Sequence, residues 1–261
     1  MQLNQITPLI LTFNEAPNIA RCLDKLSWAH KILVIDSFSS DETLLILARH
    51  PNVKVFQRKF DSHAAQRNYG LAQVSTPWVL SFDADYILTP EFVPELEGLR
   101  LSDELSACHA RFRYCVFGVP LRASLYPPRP VLFLKSKCLY REDGHTENLQ
   151  INGRTASLTA ALLHDDRKPF DRWLAEQCRY AALEARELSG KSFSDLKNWD
   201  KIRRMIFFAP IIICVYSLVM KGLIFESLPG CYYVAQRALF ELILSLKLIE
   251  NKIVGNRLDR I

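Results

Sequence analysis

The chain has 261 residues, of which 49% are hydrophobic and 23% charged, and its formal net charge is +5. This much apolar material excludes intrinsic disorder, while 9 glycines and 7 cysteines exclude collagen-like and disulfide-scaffold classes. The positive excess is too small to argue for a nucleic-acid partner.

In chain order, MQLNQITPLILTFNEA has no basic leader, and its apolar run ends at Asn14-Glu15. It therefore reads as a strand, Ile6 to Leu11, entering a loop, and not as a signal peptide. Pro17 to Leu26 is a predicted helix with Ile19, Cys22, Leu23 and Leu26 on one face. Strand Lys31 to Asp36, helix Asp41 to Arg49, strand Val53 to Phe56, helix His63 to Ala72 and strand Trp78 to Phe82 follow. This alternation predicts an α/β fold, a mostly parallel sheet flanked by helices, with ligands at the carboxyl ends of its strands. The middle is less regular. Leu105 to Phe117, Val131 to Cys138 and Ala156 to His164 read as strands, and Tyr126-Pro-Pro-Arg-Pro130 as a loop. Pro169 to Leu188 has helical spacing.

The last third differs in character. Met205 to Met220 is sixteen residues without a formal charge, just short of the roughly 17–20 that a spanning helix needs. Lys197, Lys201, Arg203 and Arg204 precede it, a cluster that favours an anionic leaflet. Tyr232 to Ile249 reads as an amphipathic helix. An in-plane or re-entrant hairpin on a membrane is the expectation, with a buried helical hairpin as the alternative. The expected domains are a catalytic region over 1–195 and a helical membrane-associated region over 196–261. The seven cysteines form no CxxC pair and suit a reducing compartment.

Acidic residues stand at the ends of successive strands: Glu15, Asp36, and the pair Asp83 and Asp85. Carboxylates gathered at one rim repel unless a cation or polar ligand joins them. Asp83-Ala-Asp85 sets two oxygen ligands near one point, which suits Mg²⁺ or Mn²⁺. No GxGxxG follows the first strand, which removes a dinucleotide-binding oxidoreductase from consideration.

Four segments, ILTFNEAPNI, VIDSFSSDET, AAQRNYGL and WVLSFDADY, together resemble family 2 glycosyltransferases of the GT-A fold, over about residues 6–185. HTENLQINGRTASLTAALLHDD and WLAEQCRYAALEA carry a narrower resemblance to small enzymes that add sugars to lipopolysaccharide core or other envelope glycans. The resemblance implies a nucleotide-diphosphate sugar donor, UDP-linked, and a divalent metal. It implies that Thr12, Asn14 and Glu15 contact the nucleotide, that Asp36 bonds the nucleobase, and that Ser37 and Asp41 adjoin it. Arg67 and Asn68 match the helix facing the phosphates. Asp83 and Asp85 match the metal-binding DxD motif, Asp85 being the aspartate that usually meets the metal. His164 matches a third metal ligand in many relatives, or is a polar rim histidine. Tyr86 departs from the pattern, since many relatives carry an acid there.

An inverting transferase needs a base to take the acceptor hydroxyl's proton. Glu147 in Gly144-His-Thr-Glu147 is the candidate, with Glu142 and Asp143 as rivals. Arg179 in Gln177-Cys-Arg179-Tyr180 faintly matches a diphosphate-binding motif of processive relatives, or lies on an ordinary amphipathic helix. Phe112, Tyr114 and Phe117 suit either core packing or sugar stacking. Arg122, Arg129 and Arg141 suit an anionic acceptor or plain solvent exposure.

The expectation is an inverting transferase acting on a hydroxyl of a lipid-associated envelope glycan, at the cytoplasmic face of the inner membrane. Transfer to polyprenyl phosphate, or a catalytically silent glycan- or nucleotide-binding protein, are the alternatives.

Overall fold

The computed structural model describes residues 1–100, 102, 104–122, 127–143 and 146–258. The chain forms two compact units. One runs to Pro120 and resumes through Arg167, and the other starts at Lys168 and takes in Leu121.

The first unit opens with β1 (Ile6–Thr12), α1 (Ile19–Asp24), β2 (Ile32–Asp36), α2 (Thr43–Leu47), β3 (Val53–Gln57), α3 (His63–Gln73) and β4 (Trp78–Asp83). These match the expected elements to within about two residues at each end. Next come β5 (Tyr86–Leu88), α4 (Phe92–Gly98), β6 (Leu105–Val116), β7 (Val119–Pro120) and β8 (Arg129–Leu134). The unit closes with β9 (Cys138–Asp143), β10 (Thr146–Ile151) and β11 (Arg154–His164).

Strand order in the main sheet is β3-β2-β1-β4-β8-β6-β11-β5, with β7 paired to β6. β3, β2, β1 and β4 are parallel, and β8 runs against both β4 and β6. The helix-flanked, mostly parallel first half agrees with the α/β sheet expected, and the second half is antiparallel in part. β2 is buried along its whole length and β1 nearly so. That explains their unbroken apolar runs, since a strand covered on both faces has no polar side to show. One face packs Ile10, Val34, Leu80 and Phe82 against α1, α2 and α4. The other packs Leu9, Leu33, Ile35 and Val79 against Ala64 and Leu71 of α3. Each such side chain contributes about 1.5–3 kcal/mol.

Register then aligns chemistry at one rim. Thr12 pairs with Asp36, Asp36 with Gln57, and Leu11 with Asp83. The hairpin of β9 and β10 was not predicted from the sequence. Tyr140 and Leu149 are opposite one another on one of its faces and pack on the α3 side of the sheet.

The second unit consists of α5 (Phe170–Gly190), α6 (Asn198–Arg204), α7 (Phe208–Val215) and α8 (Ser227–Leu258). A π turn over Tyr216–Met220 and a 3-10 turn over Leu223–Glu226 join the last two helices. Ala181, Ala185 and Leu188 of α5 share a core with Leu244 and Leu248 of α8. That packing groups α5 with the C-terminal helices, so the compact units divide at Arg167 and not near residue 195. Arg203 is not a free surface cation. It is held by Glu184 and by Glu241, which is fully buried. The sixteen-residue apolar run is not one helix. Ile206 has a φ of +68°, and α7 starts only at Phe208. Pro210 falls in its first turn, where the missing N–H has no partner to lose. Among the described residues no single helix is long and apolar enough to cross a membrane.

Candidate active site

The loops after β1 and β2 are sewn together by side chains. Asn14 has a φ of +56°, a conformation asparagine tolerates. Its Oδ1 accepts from Ser40 N at 2.7 Å and Asp41 N at 3.3 Å, while its own N–H donates to Ser39 Oγ. Glu15 N donates to Thr43 Oγ1 and Ala16 N to Asp41 Oδ2. Gln66 Nε2 donates to Ser37 Oγ at 2.8 Å. These residues shape one wall of the rim.

Asp36 is tied into the rim from within. Its carboxylate is fully buried and accepts from Thr12 Oγ1, Ser39 N, Ser39 Oγ and Gln57 Nε2. Four donors fill the roughly four lone-pair sites of a carboxylate, so Asp36 organises the rim loops. Asn68 is likewise occupied: its side chain donates to Tyr140 O and accepts from Tyr140 N, which clamps β9 onto α3. Neither Ser39, Gln57, Gln66 nor Tyr140 was singled out from the sequence.

Asp83 and Asp85 part company. Arg67 on α3 is buried, and each guanidinium nitrogen has a partner: Nε on Glu147 Oε1 at 2.9 Å, Nη1 on Ser81 Oγ at 2.9 Å, and Nη2 on Asp83 Oδ1 at 2.6 Å. It also lies over the Tyr140 ring. Burial pushes the Asp83 carboxyl up, but the Arg67 guanidinium outweighs it and holds Asp83 below the usual carboxylate range. Arg67 therefore faces two carboxylates of its own chain and not open rim.

Asp85 turns toward β11. The β5–β11 pairing sets Tyr86 opposite His164, which brings His164 Nε2 to 3.0 Å from Asp85 Oδ2. Tyr86 and Tyr114 flank the imidazole, with ring centroids 5.1 and 4.7 Å away. Burial pushes the His164 imidazole down, and the Asp85 carboxylate outweighs this and raises it. Asp85 Oδ1 is buried and has no hydrogen-bond partner.

Two acids after His164 complete the edge, and neither was assigned from the sequence although both lie in the quoted LLHDD. Asp165 takes Arg21 Nη1 and the Gly118 N–H, and Asn18 Nδ2 bridges Glu15 and Asp166.

Glu147 is half-buried on β10, opposite Glu142, which is exposed and accepts from Ser62 Oγ. The Asp143 side chain, Gly144 and His145 lie outside the described residues. Phe112 is buried against Tyr86, which settles it as packing, while Phe117 is exposed. Arg179 lies exposed on α5 of the second unit.

Among the described residues no three His, Cys, Asp or Glu side chains form a ready metal cluster. A cation that takes most ligands from diphosphate oxygens and water needs only one or two protein carboxylates. The orphaned Asp85 Oδ1 beside His164 fits that requirement. Asp83, engaged by Arg67, is the weaker member of the expected trio.

A profile described as Glycosyl transferase family 2 matches residues 9–160, more than half of the chain. An uncharacterized glycosyltransferase of Rickettsia felis is 28% identical over 46% of this chain and 40% of its own length. The chain thus spans about two fifths of that relative. The lipopolysaccharide core biosynthesis glycosyltransferase LpsC of Rhizobium meliloti is 25% identical over 79% of this chain and 78% of its own. Among solved structures, S. aureus TarS 1-349 in complex with UDP-GlcNAc has a TM-score of 0.49 at 16% identity, covering 85% of this chain and 76% of that one. With more than half its length matched by the family profile, the chain belongs to glycosyl transferase family 2.

Proposed function

We propose that this chain transfers a sugar from a UDP-linked donor to a hydroxyl of a lipid-associated envelope glycan of the lipopolysaccharide-core type, with inversion at the anomeric carbon. The observation that carries the reading is Asp85: a buried carboxylate oxygen without a partner, beside His164, at the carboxyl rim of a parallel sheet. Family membership and the likeness to LpsC over most of both chains support the reaction class and the acceptor.

Asp85 and His164 would hold Mg²⁺ or Mn²⁺. Such a cation neutralises charge that develops on a diphosphate leaving group. The loops tied through Thr12, Asn14, Glu15, Ser37 and Asp41 form the wall against which the nucleotide lies, and Asp36 keeps that wall in shape. Glu147 takes the proton of the acceptor hydroxyl as its oxygen bonds to the anomeric carbon and the bond to the diphosphate breaks. Arg67 occupies one oxygen of Glu147 and so orients the carboxylate. A lipid-associated acceptor implies work at a membrane surface, peripheral or monotopic, on the cytoplasmic face of the inner membrane. The free thiols support a reducing compartment.

The test is UDP release by the purified chain from a panel of UDP-sugars, against a lipid-glycan extract, with and without Mn²⁺. Acceptor-dependent release supports the reading. Turnover that persists unchanged in Glu147→Gln points to an acceptor that is already anionic, such as a polyprenyl phosphate.

A further inference from the structure

The C-terminal hairpin of the second unit exposes an unusual amount of apolar surface. Over Phe208–Met220 the outward side carries Phe208, Ile211, Val215 and Val219, whereas the inward side carries Ala209, Ile213 and Ser217. On α8 Leu242, Leu246 and Ile253 are exposed at helical spacing, while Glu241 and Ser245 are buried beside Leu244 and Leu248. On α8 Glu241 is paired with Arg203 and Ser245 Oγ donates to the Ile206 carbonyl at 2.6 Å, whereas the buried Ser217 Oγ has no hydrogen-bond partner. A water-facing amphipathic helix has the opposite arrangement. Small and polar residues inside with large apolar ones outside suit hydrocarbon surroundings.

The apolar exposure is greatest at the bend. Gly222, at φ +67°, turns the chain, and the helical stretches on either side meet at 75°. Around it Val219 is 65% exposed, Met220 74%, Ile224 55%, Phe225 82% and Leu228 83%. A Cβ on Gly230 would lie 2.3 Å from the Leu223 carbonyl, so the start of α8 packs its backbone directly against the turn. Five large apolar side chains within ten residues are more than a monomer ordinarily leaves to water.

Charge identifies the occupant. Between residues 191 and 221 there are six Lys/Arg and two Asp/Glu. Arg203 is spent inside the unit, but Lys197 is exposed, Lys201 lies over the Phe193 ring and Lys221 over the Tyr216 ring. Cations on apolar stems beside exposed aromatics match the headgroup layer of an anionic bilayer. We infer that the elbow over residues 207–228 inserts into the interfacial layer of an anionic lipid bilayer and lies in its plane without crossing it. The lipid-associated acceptor proposed above supplies the biological use of this seat, while the physical argument stands apart from it.

The experiment is flotation of the full chain with vesicles of phosphatidylcholine alone and of phosphatidylcholine with phosphatidylglycerol. The wild type is expected to float with the anionic vesicles. The double variant Phe225→Glu/Leu228→Glu should lose about tenfold or more of that binding, and Lys197→Glu/Lys201→Glu should weaken it at low salt by a margin that narrows as salt rises. Phe225→Trp should blue-shift its emission when anionic vesicles are added. Failure of the wild type to float, or equal flotation of the double variant, overturns the inference. So does a wild-type dimer that the double variant makes monomeric without any vesicle binding, which assigns the face to a second copy. UDP-sugar turnover on a soluble acceptor, measured in parallel, should be unchanged in the Glu variants. Its absence from the wild type would count against the catalytic reading alone.

Discussion

Arg67 Nε lies 2.9 Å from Glu147 Oε1, joining residues 80 positions apart, while the same guanidinium holds Asp83 at 2.6 Å. The candidate base and the first DxD aspartate are thus fixed by one buried cation. Glu147→Gln keeps an oxygen for Arg67 but cannot accept the acceptor's proton. Transfer should fall by about 10²–10⁴-fold, with nucleotide affinity by calorimetry essentially unchanged. A parallel loss of nucleotide affinity would move Glu147 from proton transfer to donor binding.

Replacing Arg67 tests the clamp. Arg67→Lys offers one point charge where a fork serves three partners. It should lower unfolding free energy by about 2 kcal/mol, at the low end for broken buried pairs because Asp83 is partly exposed. Urea denaturation measures this, and a change within about 0.5 kcal/mol would show the fork to be dispensable.

Asp85→Asn removes charge where the buried oxygen is unpartnered, so the fold should hold. A neutral amide is a poor ligand for a hard divalent cation. Mn²⁺ stimulation of UDP-sugar binding should disappear, while binding without metal stays as in the wild type. Retained Mn²⁺ stimulation in this variant would remove Asp85 from the cation site.

A second carboxylate governs acid stability. Glu95 on α4 accepts from Thr159 N, Thr159 Oγ1 and Ala160 N, where β11 shifts register. Partial burial pushes its carboxyl up, but those three bonds outweigh it and lower it. Its contribution is therefore complete above the ordinary glutamate range and lost as pH falls through the lowered folded value. Glu95→Gln should cost about 1 kcal/mol at neutral pH and narrow its deficit against the wild type on acidification. A deficit constant with pH would exclude this linkage.

The parallel half of the sheet was legible because strands buried on both faces announce themselves as apolar runs, and KILVID and WVLSF leave no doubt about their ends. The DxD rim was legible for the same reason: a strand end followed by acids has few other readings. The β9–β10 hairpin was hidden, because Arg141, Glu142 and Asn148 on it face solvent and its buried side rests on two or three residues. Asp36 shows the other limit. Its type and place at the strand end were right, but its filling by Thr12, Ser39 and Gln57 depends on loops that meet only in the fold. The helical elbow was foreshadowed by sixteen uncharged residues, whereas its bend follows from the backbone at Ile206 and Gly222.

The central claim is cation-assisted transfer from a nucleotide sugar through the Asp85–His164 rim. UDP release by the purified chain, with donor and lipid-glycan extract present, tests it most directly when wild type and Asp85→Asn are compared with and without Mn²⁺. The account predicts release that needs the acceptor and the cation in the wild type and is lost in the variant. Release that is equal in both proteins and indifferent to Mn²⁺ would contradict it.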